Sequence, residues 1–188
     1  EEAGKNTQFT ATEAATALGN LARSGMTATQ AIEAMPATLR LAAAGGIALE
    51  QSSTIVTRTL AGFVLQAGEA ARVADVLAMG ANASNTSVQG LGEALSYAAP
   101  IAKSVGLSLE GTVAIVGKFA DAGIDASRAG TALNAILGQF ADPASKFRAE
   151  LSNAGITTGN FEKALTQLAA AGGKGEKAIL AVGTEAGP

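Results

Sequence analysis

The sequence predicts an all-α protein: a compact array of short helices packed as helical hairpins, with no sheet. Five times the chain places a glycine directly before an apolar residue, at Gly25, Gly46, Gly106, Gly123 and Gly155. Glycine accepts the left-handed backbone conformation that ends a helix, and the apolar residue after it can fold back onto the last turn. In four of the five, a Thr, Ser or Asp follows and can cap the next helix. No segment has the alternation of β-branched and polar residues that is typical of a strand.

The first two helices are predicted from their start signals. Thr10 with Glu13, and again Thr27 with Gln30, have capping-box spacing, in which each side chain bonds the backbone N–H of the other residue. The first helix ends at Gly25, and the second, which Pro36 is expected to kink, ends at residues 45–46. The inward-facing residues predicted on these two helices are Ala14, Leu18, Leu21 and Ala22, then Ile32, Met35, Leu39 and Ala43.

Two more helices precede a polar hinge at residues 82–87. The third runs through Ile55, Val56 and Leu60, and the fourth spans about 67 to 81 with Val73, Val76 and Leu77 facing inward. After the hinge, Thr86 and Gln89 again have capping-box spacing and predict a fifth helix. The inward-facing residues predicted on that helix are Leu91, Leu95, Ala98, Ile101 and Val105.

The second half of the chain continues the same pattern. Ser108 and Asp125 are predicted helix caps, and the break at Asp142 and Pro143 is followed by a helix whose first turn suits the proline. Weaker helices are predicted near 143–153 and 159–171, with one more near 175–182. The predicted organisation is a polar lead-in at 1–9, a helical core domain at 10–141, and short helices with a C-terminal linker at 142–188.

A loose internal echo relates two parts of the chain. Residues 10–41 and 108–139 align at one fixed offset, with Gly25 matching Gly123, Leu18 matching Val116 and Leu21 matching Phe119. One interpretation is two helical hairpins of common design. The other is that any alanine-rich helix pair joined by glycine has this appearance.

The composition argues against several classes of function. Charged residues make up 15% of the chain against a usual value of roughly 25%, and the 13 basic residues are scattered among 16 acidic ones. We therefore expect no sequence-specific nucleic-acid binding, which needs clustered Lys and Arg. Cysteine and histidine are both absent, which removes thiolate ligands, the commonest general base and the commonest transition-metal ligand. No apolar run reaches the ~18 residues of a membrane span.

Individual motifs point to no reaction either. The run 172–177 (GGKGEK) lacks the upstream glycine and the hydroxyl residue of a phosphate-binding loop. Asp121 and Asp125 lack the alternating ligands of a calcium loop, so Asp125 is predicted to be a helix cap and Asp121 a solvated residue of a last turn. We predict that the chain is not an enzyme and has no catalytic, cofactor-binding or metal-binding residue.

The stretch from residue 10 to about 137 resembles the core region of phage tail tape-measure proteins. The resemblance is carried by residues 41–46 (LAAAGG), 69–77 (EAARVADVL), 82–88 (NASNTSV), 91–95 (LGEAL), 99–100 (AP), 106–110 (GLSLE), 122–124 (AGI) and 129–133 (AGTAL). The chain departs from the family at Val64, where glycine is frequent. Because valine resists the left-handed conformation, this departure counts against a regular joint between the third and fourth helices.

The resemblance implies a structural section of a long helical protein in the lumen of the phage tail. Such a protein templates tube assembly, sets tail length and leaves ahead of the DNA at infection. The implied partners are tail tube subunits, tail assembly chaperones, tail-tip proteins and other copies of the chain, with membrane contact only during infection and a cytoplasmic stage during assembly. Two alternatives stay open: a generic all-α interaction module, and a membrane-active helical segment used in DNA delivery.

Overall fold

The computed structural model describes residues 9–171, and in that range the chain forms nine α-helices, one 3₁₀ turn and no strand. The all-α prediction is confirmed. The run 172–177, the helix predicted near 175–182 and residues 1–8 of the lead-in lie outside the described residues. The helices are α1 (Ala11–Arg23), α2 (Ala28–Gly45), α3 (Leu49–Phe63), α4 (Ala70–Ala83, after the 3₁₀ turn Ala67–Glu69), α5 (Val88–Ser104), α6 (Leu109–Asp121), α7 (Ala126–Ala141), α8 (Lys146–Asn153) and α9 (Phe161–Ala170).

All five predicted glycine joints are confirmed. Their glycines have φ between 59° and 94°. At each joint the N–H of the following apolar residue donates to the carbonyl five residues earlier, at 2.8 to 3.4 Å. This is the Schellman pattern, and it satisfies carbonyl groups that a helix end leaves unpaired. A sixth joint has the same pattern: Val64 takes φ 55°, and the N–H of Leu65 donates to the Leu60 carbonyl at 2.8 Å. The expectation against a regular joint at Val64 was therefore wrong.

Four predicted helix starts are confirmed by the side chains that cap them. Thr10 and Thr27 form complete capping boxes, and the side chains of Ser108 and Asp125 accept the N–H groups of Gly111 and Arg128, each at 3.0 Å. These caps are local interactions within a few residues of sequence. That locality is the reason the sequence predicts them.

One predicted cap after a glycine joint was wrong. Thr157 does not start a helix, because the loop continues and α9 is capped by Asn160, whose side chain accepts the Lys163 N–H at 2.9 Å. Thr158 keeps the intervening chain out of the helix. Its carbonyl accepts Nη1 of Arg148 at 2.9 Å, and its hydroxyl accepts the Asn160 N–H at 3.1 Å.

Two other helix starts are displaced by turns. Before α5 the cap is Ser87, which accepts the Gly90 N–H at 3.0 Å, because Thr86 is held in a bend by its bond to the Ser84 carbonyl. Pro143 lies in the turn before α8, outside its first turn. The Asp142 carboxylate accepts the N–H of Ala144 at 2.9 Å, and this Asx turn delays the helix until Ser145 caps it. The predicted helices near 143–153 and 159–171 are thus shorter, as α8 and α9.

Three residues predicted to face inward are exposed: Ala22, Ile32 and Ala43. The Ile32 side chain is 64% exposed, whereas Ala31 and Ala34 beside it are buried. The apolar stripes on α1 and α2 are wider than the faces that the other helices cover, and the small residues take the covered positions. Pro36 lies within α2, which continues on both sides of it, and the predicted kink stays a prediction.

The helices stack as two layers. α1, α3, α5 and α7 lie side by side in one layer and α2, α4 and α6 in the other, and each helix packs mainly against helices one and two places away in sequence. Neighbours within a layer run parallel: Ile55 and Ala99 of one pair of helices meet Gly92 and Gly62 of the other. This near-neighbour arrangement is that of an α-solenoid, in which helix pairs repeat along an axis.

The helix starts reveal a repeat that the internal echo only hinted at. The N-cap residues of the first layer are Thr10, Ala48, Ser87 and Asp125, which are 38, 39 and 38 residues apart. The echo has an offset of 98 residues, about two and a half of these periods, so its two hairpins start in opposite layers. The matched residues differ accordingly: Leu21 is buried and Phe119 half-buried.

Candidate interaction surfaces

Small residues line the seam within the first layer and let its helices approach closely. Gly92 of α5 packs under the Ile55 side chain, and Gly62 of α3 packs against the Cβ of Ala99. The closest approach joins α5 and α7: a Cβ placed on Gly130 would lie 2.6 Å from the carbonyl oxygen of Ala94 and 2.7 Å from its Cα. Backbone therefore meets backbone at this point, and the seam is a fixed structural contact with no open cleft.

Polar groups tie the second layer together near the solvent. The Asp121 carboxylate accepts the backbone N–H of Asn85 at 2.9 Å and Nζ of Lys118 at 3.3 Å. These two bonds, the backbone one first, hold the pKa of Asp121 below its ordinary value. The sequence correctly predicted Asp125 as a cap. It missed that Asp121 fastens the loop before α5, because the partner lies 36 residues away.

A second ion-pair contact links α4 with α6. The Arg72 guanidinium bonds the carboxylates of Glu69 and Glu110, and these bonds raise the pKa of Arg72. Both carboxylates and the guanidinium are more than a third exposed. Because water screens such pairs, they orient the two helices and add little stability.

The C-terminal helices close the end of the array with an aromatic cluster. The rings of Phe140 and Phe161 pack edge to face at 5.0 Å, Phe147 lies 6.3 Å from Phe140, and the Arg148 guanidinium sits 4.7 Å above the Phe140 ring. The Phe161 N–H also donates to the Val105 carbonyl at 2.8 Å. The start of α9 is thereby fixed onto the joint between α5 and α6.

The clefts on the array lie between successive joints. One of about 210 Å³ separates the α1–α2 joint from the α3–α4 joint, and one of about 240 Å³ separates the latter from the α5–α6 joint. The ionisable groups in the larger cleft are Arg72, Lys103 and Glu110, of which Arg72 and Glu110 pair with each other. Among residues 9–171 no group of three or more Asp or Glu residues converges to hold a metal ion.

Exposed apolar side chains are scattered singly over the surface. They are Ile32, Val64, Met79, Tyr97 and Leu165, and isolated exposed residues of this kind are ordinary on soluble surfaces. Within the described part of the chain, no single helix has the length and hydropathy of a membrane span. The pair α2 and α3 together meets that test of length and composition, but the pair is bent by 116°.

Comparison with known proteins gives one consistent result. A family model described as phage-related minor tail protein matches residues 1–184. The chain is 40% identical over 154 residues to the tape measure protein of Pneumococcus phage Dp-1, covering 82% of this chain and 13% of that protein. It is 35% identical over 155 residues to the probable tape measure protein of Escherichia phage P2, covering 82% and 19%. The chain thus spans less than a fifth of either relative. No solved structure matches it significantly.

Proposed function

The chain belongs to the phage-related minor tail protein family, and from that premise we propose that it is a structural section of a tape-measure protein that templates tail-tube assembly and sets tail length. The resemblance to tape-measure proteins is confirmed by two relatives that carry that name. Its finer consequences are tested below through the length of the array.

The observation that carries the proposal is the one-dimensional arrangement of the helices. Each helix pair occupies about 38 residues and contacts its neighbours in sequence, so adding or removing a pair changes only the length of the array. Parallel neighbours pack about 8–10 Å apart, so one folded pair advances the array by roughly that distance. The same 38 residues would span about 57 Å as one continuous helix.

This sixfold difference supports an extended state in the tail and a folded state before assembly. A ruler is most economical in residues when its helices lie end to end. The core that holds the folded state is made largely of alanine and other small side chains, such as Ala17, Ala31, Ala94 and Ala98. Such side chains bury little apolar area each, so exchanging these contacts for contacts with a tube wall involves a modest free energy.

The proposed partners follow from this role. Tail tube subunits would surround the extended chain in the tail lumen, tail-tip proteins and other copies of the chain would meet it there, and assembly chaperones would hold it in the cytoplasm beforehand. Release ahead of the DNA at infection completes the proposal. The role is structural and needs no catalytic residue. The generic interaction module is a weaker alternative, because the family match spans nearly the whole chain.

The test is an in-frame deletion of residues 49–87 from the tail protein of a phage that carries this sequence. This removes one complete period, from the residue after the Ala48 cap through the Ser87 cap. Electron microscopy of the tails should show a shortening of about 58 Å if the segment is extended helix, and of about 10 Å if it stays folded in the array.

A tandem duplication of residues 49–87 is the matched control and should lengthen the tail by the same amount. Unchanged tail length in both variants, with normal particle numbers, would remove the ruler role. Loss of all tails in the deletion alone would direct attention to the duplication, which leaves every native contact in place and still reports length.

A further inference from the structure

The joint between α3 and α4 differs from the others in the residue that takes the left-handed conformation. Val64 has φ 55° and is the one non-glycine residue with positive φ among residues 9–171. Valine is a poor occupant of this region, because its branched side chain crowds the neighbouring backbone. The Val64 side chain is 71% exposed, so its own contacts do little to offset the strain.

The helix start after Val64 is also weak. The starts of α2, α6 and α7 are each fixed by a Thr, Ser or Asp side chain. After Val64, Gln66 precedes the 3₁₀ turn, and glutamine favours helix interiors over caps. The Gln66 N–H is bonded by the Glu69 carboxylate at 3.2 Å, which is an exposed contact. Both the stop and the start at this joint are thus less well specified than at the glycine joints.

The residues of the joint would tolerate a helix. Positions 64–69 read Val-Leu-Gln-Ala-Gly-Glu, with no proline, and Leu, Gln, Ala and Glu are good helix formers. The folded joint is held from outside. Leu65 packs against the core, and α3 and α4 pack on α5 and α6 respectively. When those contacts loosen, local preference favours continuing the helix.

We propose that the array opens first at this joint, by conversion of residues 64–69 into helix, so that α3 and α4 become one helix over 49–83. That helix of 35 residues would be about 52 Å long, whereas α3 alone has 15 residues and a length of about 22 Å. The preference of the joint belongs to the chain itself. The inference therefore goes beyond the tape-measure role and does not depend on it.

Distances between paired spin labels test this, since the chain has no native cysteine. The pair Arg58→Cys and Asp75→Cys spans the Val64 joint, and the pair Lys118→Cys and Ala135→Cys spans the Gly123 joint. All four positions are exposed, and each pair is 17 residues apart, about 26 Å in a continuous helix. Pulsed EPR distances and far-UV circular dichroism are measured together across a urea titration.

We expect a population near 26 Å to appear for the first pair while the circular dichroism is still native, with the second pair keeping its folded distance until the global transition. Val64→Gly, and independently Val64→Asn, should reduce that population at least twofold, because both residues tolerate the left-handed conformation. Val64→Ile should leave it unchanged. Loss of both folded distances at the same urea concentration, or an equal population in the Gly and Asn variants, would overturn the proposal.

Discussion

Gly130 gives the most direct test of how closely α5 and α7 approach. In Gly130→Ala the new Cβ would lie 2.6 Å from the carbonyl oxygen of Ala94 and 2.7 Å from its Cα. These are backbone atoms that cannot rotate away, so α7 must shift as a unit. Overpacking of this kind costs about 3 kcal/mol at its upper range, and the better helix propensity of alanine returns about 1 kcal/mol. The expected net loss is about 2 kcal/mol in the free energy of unfolding.

Gly138 in the same helix is the matched control. A Cβ there would meet only Cδ1 of Ile101, at 3.8 Å, which is ordinary van der Waals contact. Gly138→Ala should therefore raise the free energy of unfolding by about 0.5 to 1 kcal/mol through helix propensity alone. Urea unfolding followed by far-UV circular dichroism, with the m-value checked for each variant, measures both changes. If the two variants are stabilised equally, the close backbone contact between α5 and α7 does not exist.

Three further predictions concern the joints, the acid response and the aromatic cluster. Val64→Gly should raise the free energy of unfolding by about 0.5–1 kcal/mol as strain relief outweighs the added freedom of the unfolded chain, whereas Gly123→Ala, whose Cβ meets nothing within 4 Å, should lower it by about 1 kcal/mol through strain alone; urea unfolding measures both, and changes of the same sign would contradict the argument. The pKa of Asp121 is lowered by its bonds to Asn85 and Lys118, so the stability it contributes is present above the ordinary value of 3.8 and is lost as the pH falls through the lower folded-state pKa; Asp121→Asn should flatten this acid dependence in unfolding measured across that range, and an unchanged slope would show that the contact is absent. Phe161→Ala should cost about 3 kcal/mol and speed hydrogen exchange throughout α9, while Phe161→Leu should retain most of the protection.

The local breaks in the chain could be read from the sequence because each depends on a few adjacent residues. The glycine joints and the caps at Thr10, Thr27, Ser108 and Asp125 are set by bonds spanning three to five residues. Where local signals compete, the sequence was insufficient. The Asx turn at Asp142 displaced a helix start, and the bond from Arg148 to the Thr158 carbonyl kept another residue outside α9. The predicted domain division at residue 142 stays a prediction.

The interaction surfaces were harder to predict, because their parts come from distant positions. Asp121 and Asn85, Phe161 and Phe140, and Gly130 and Ala94 are each brought together only by packing. No short motif announces such pairs. A signal did exist for the repeat: caps 38 or 39 residues apart. It was masked because Ala48, one of the four, is not a typical capping residue.

The sequence by itself determined that this protein is a series of short helices with fixed ends, since helix starts and stops depend on neighbouring side chains and on the few residues that accept left-handed backbone. Only the tertiary structure decided the two layers, the parallel order within each and the exposure of Ile32. An alanine-rich helix offers more than one apolar stripe of similar character. Which stripe is buried depends on the partner helix that lies a full period away and on how closely glycine lets it approach.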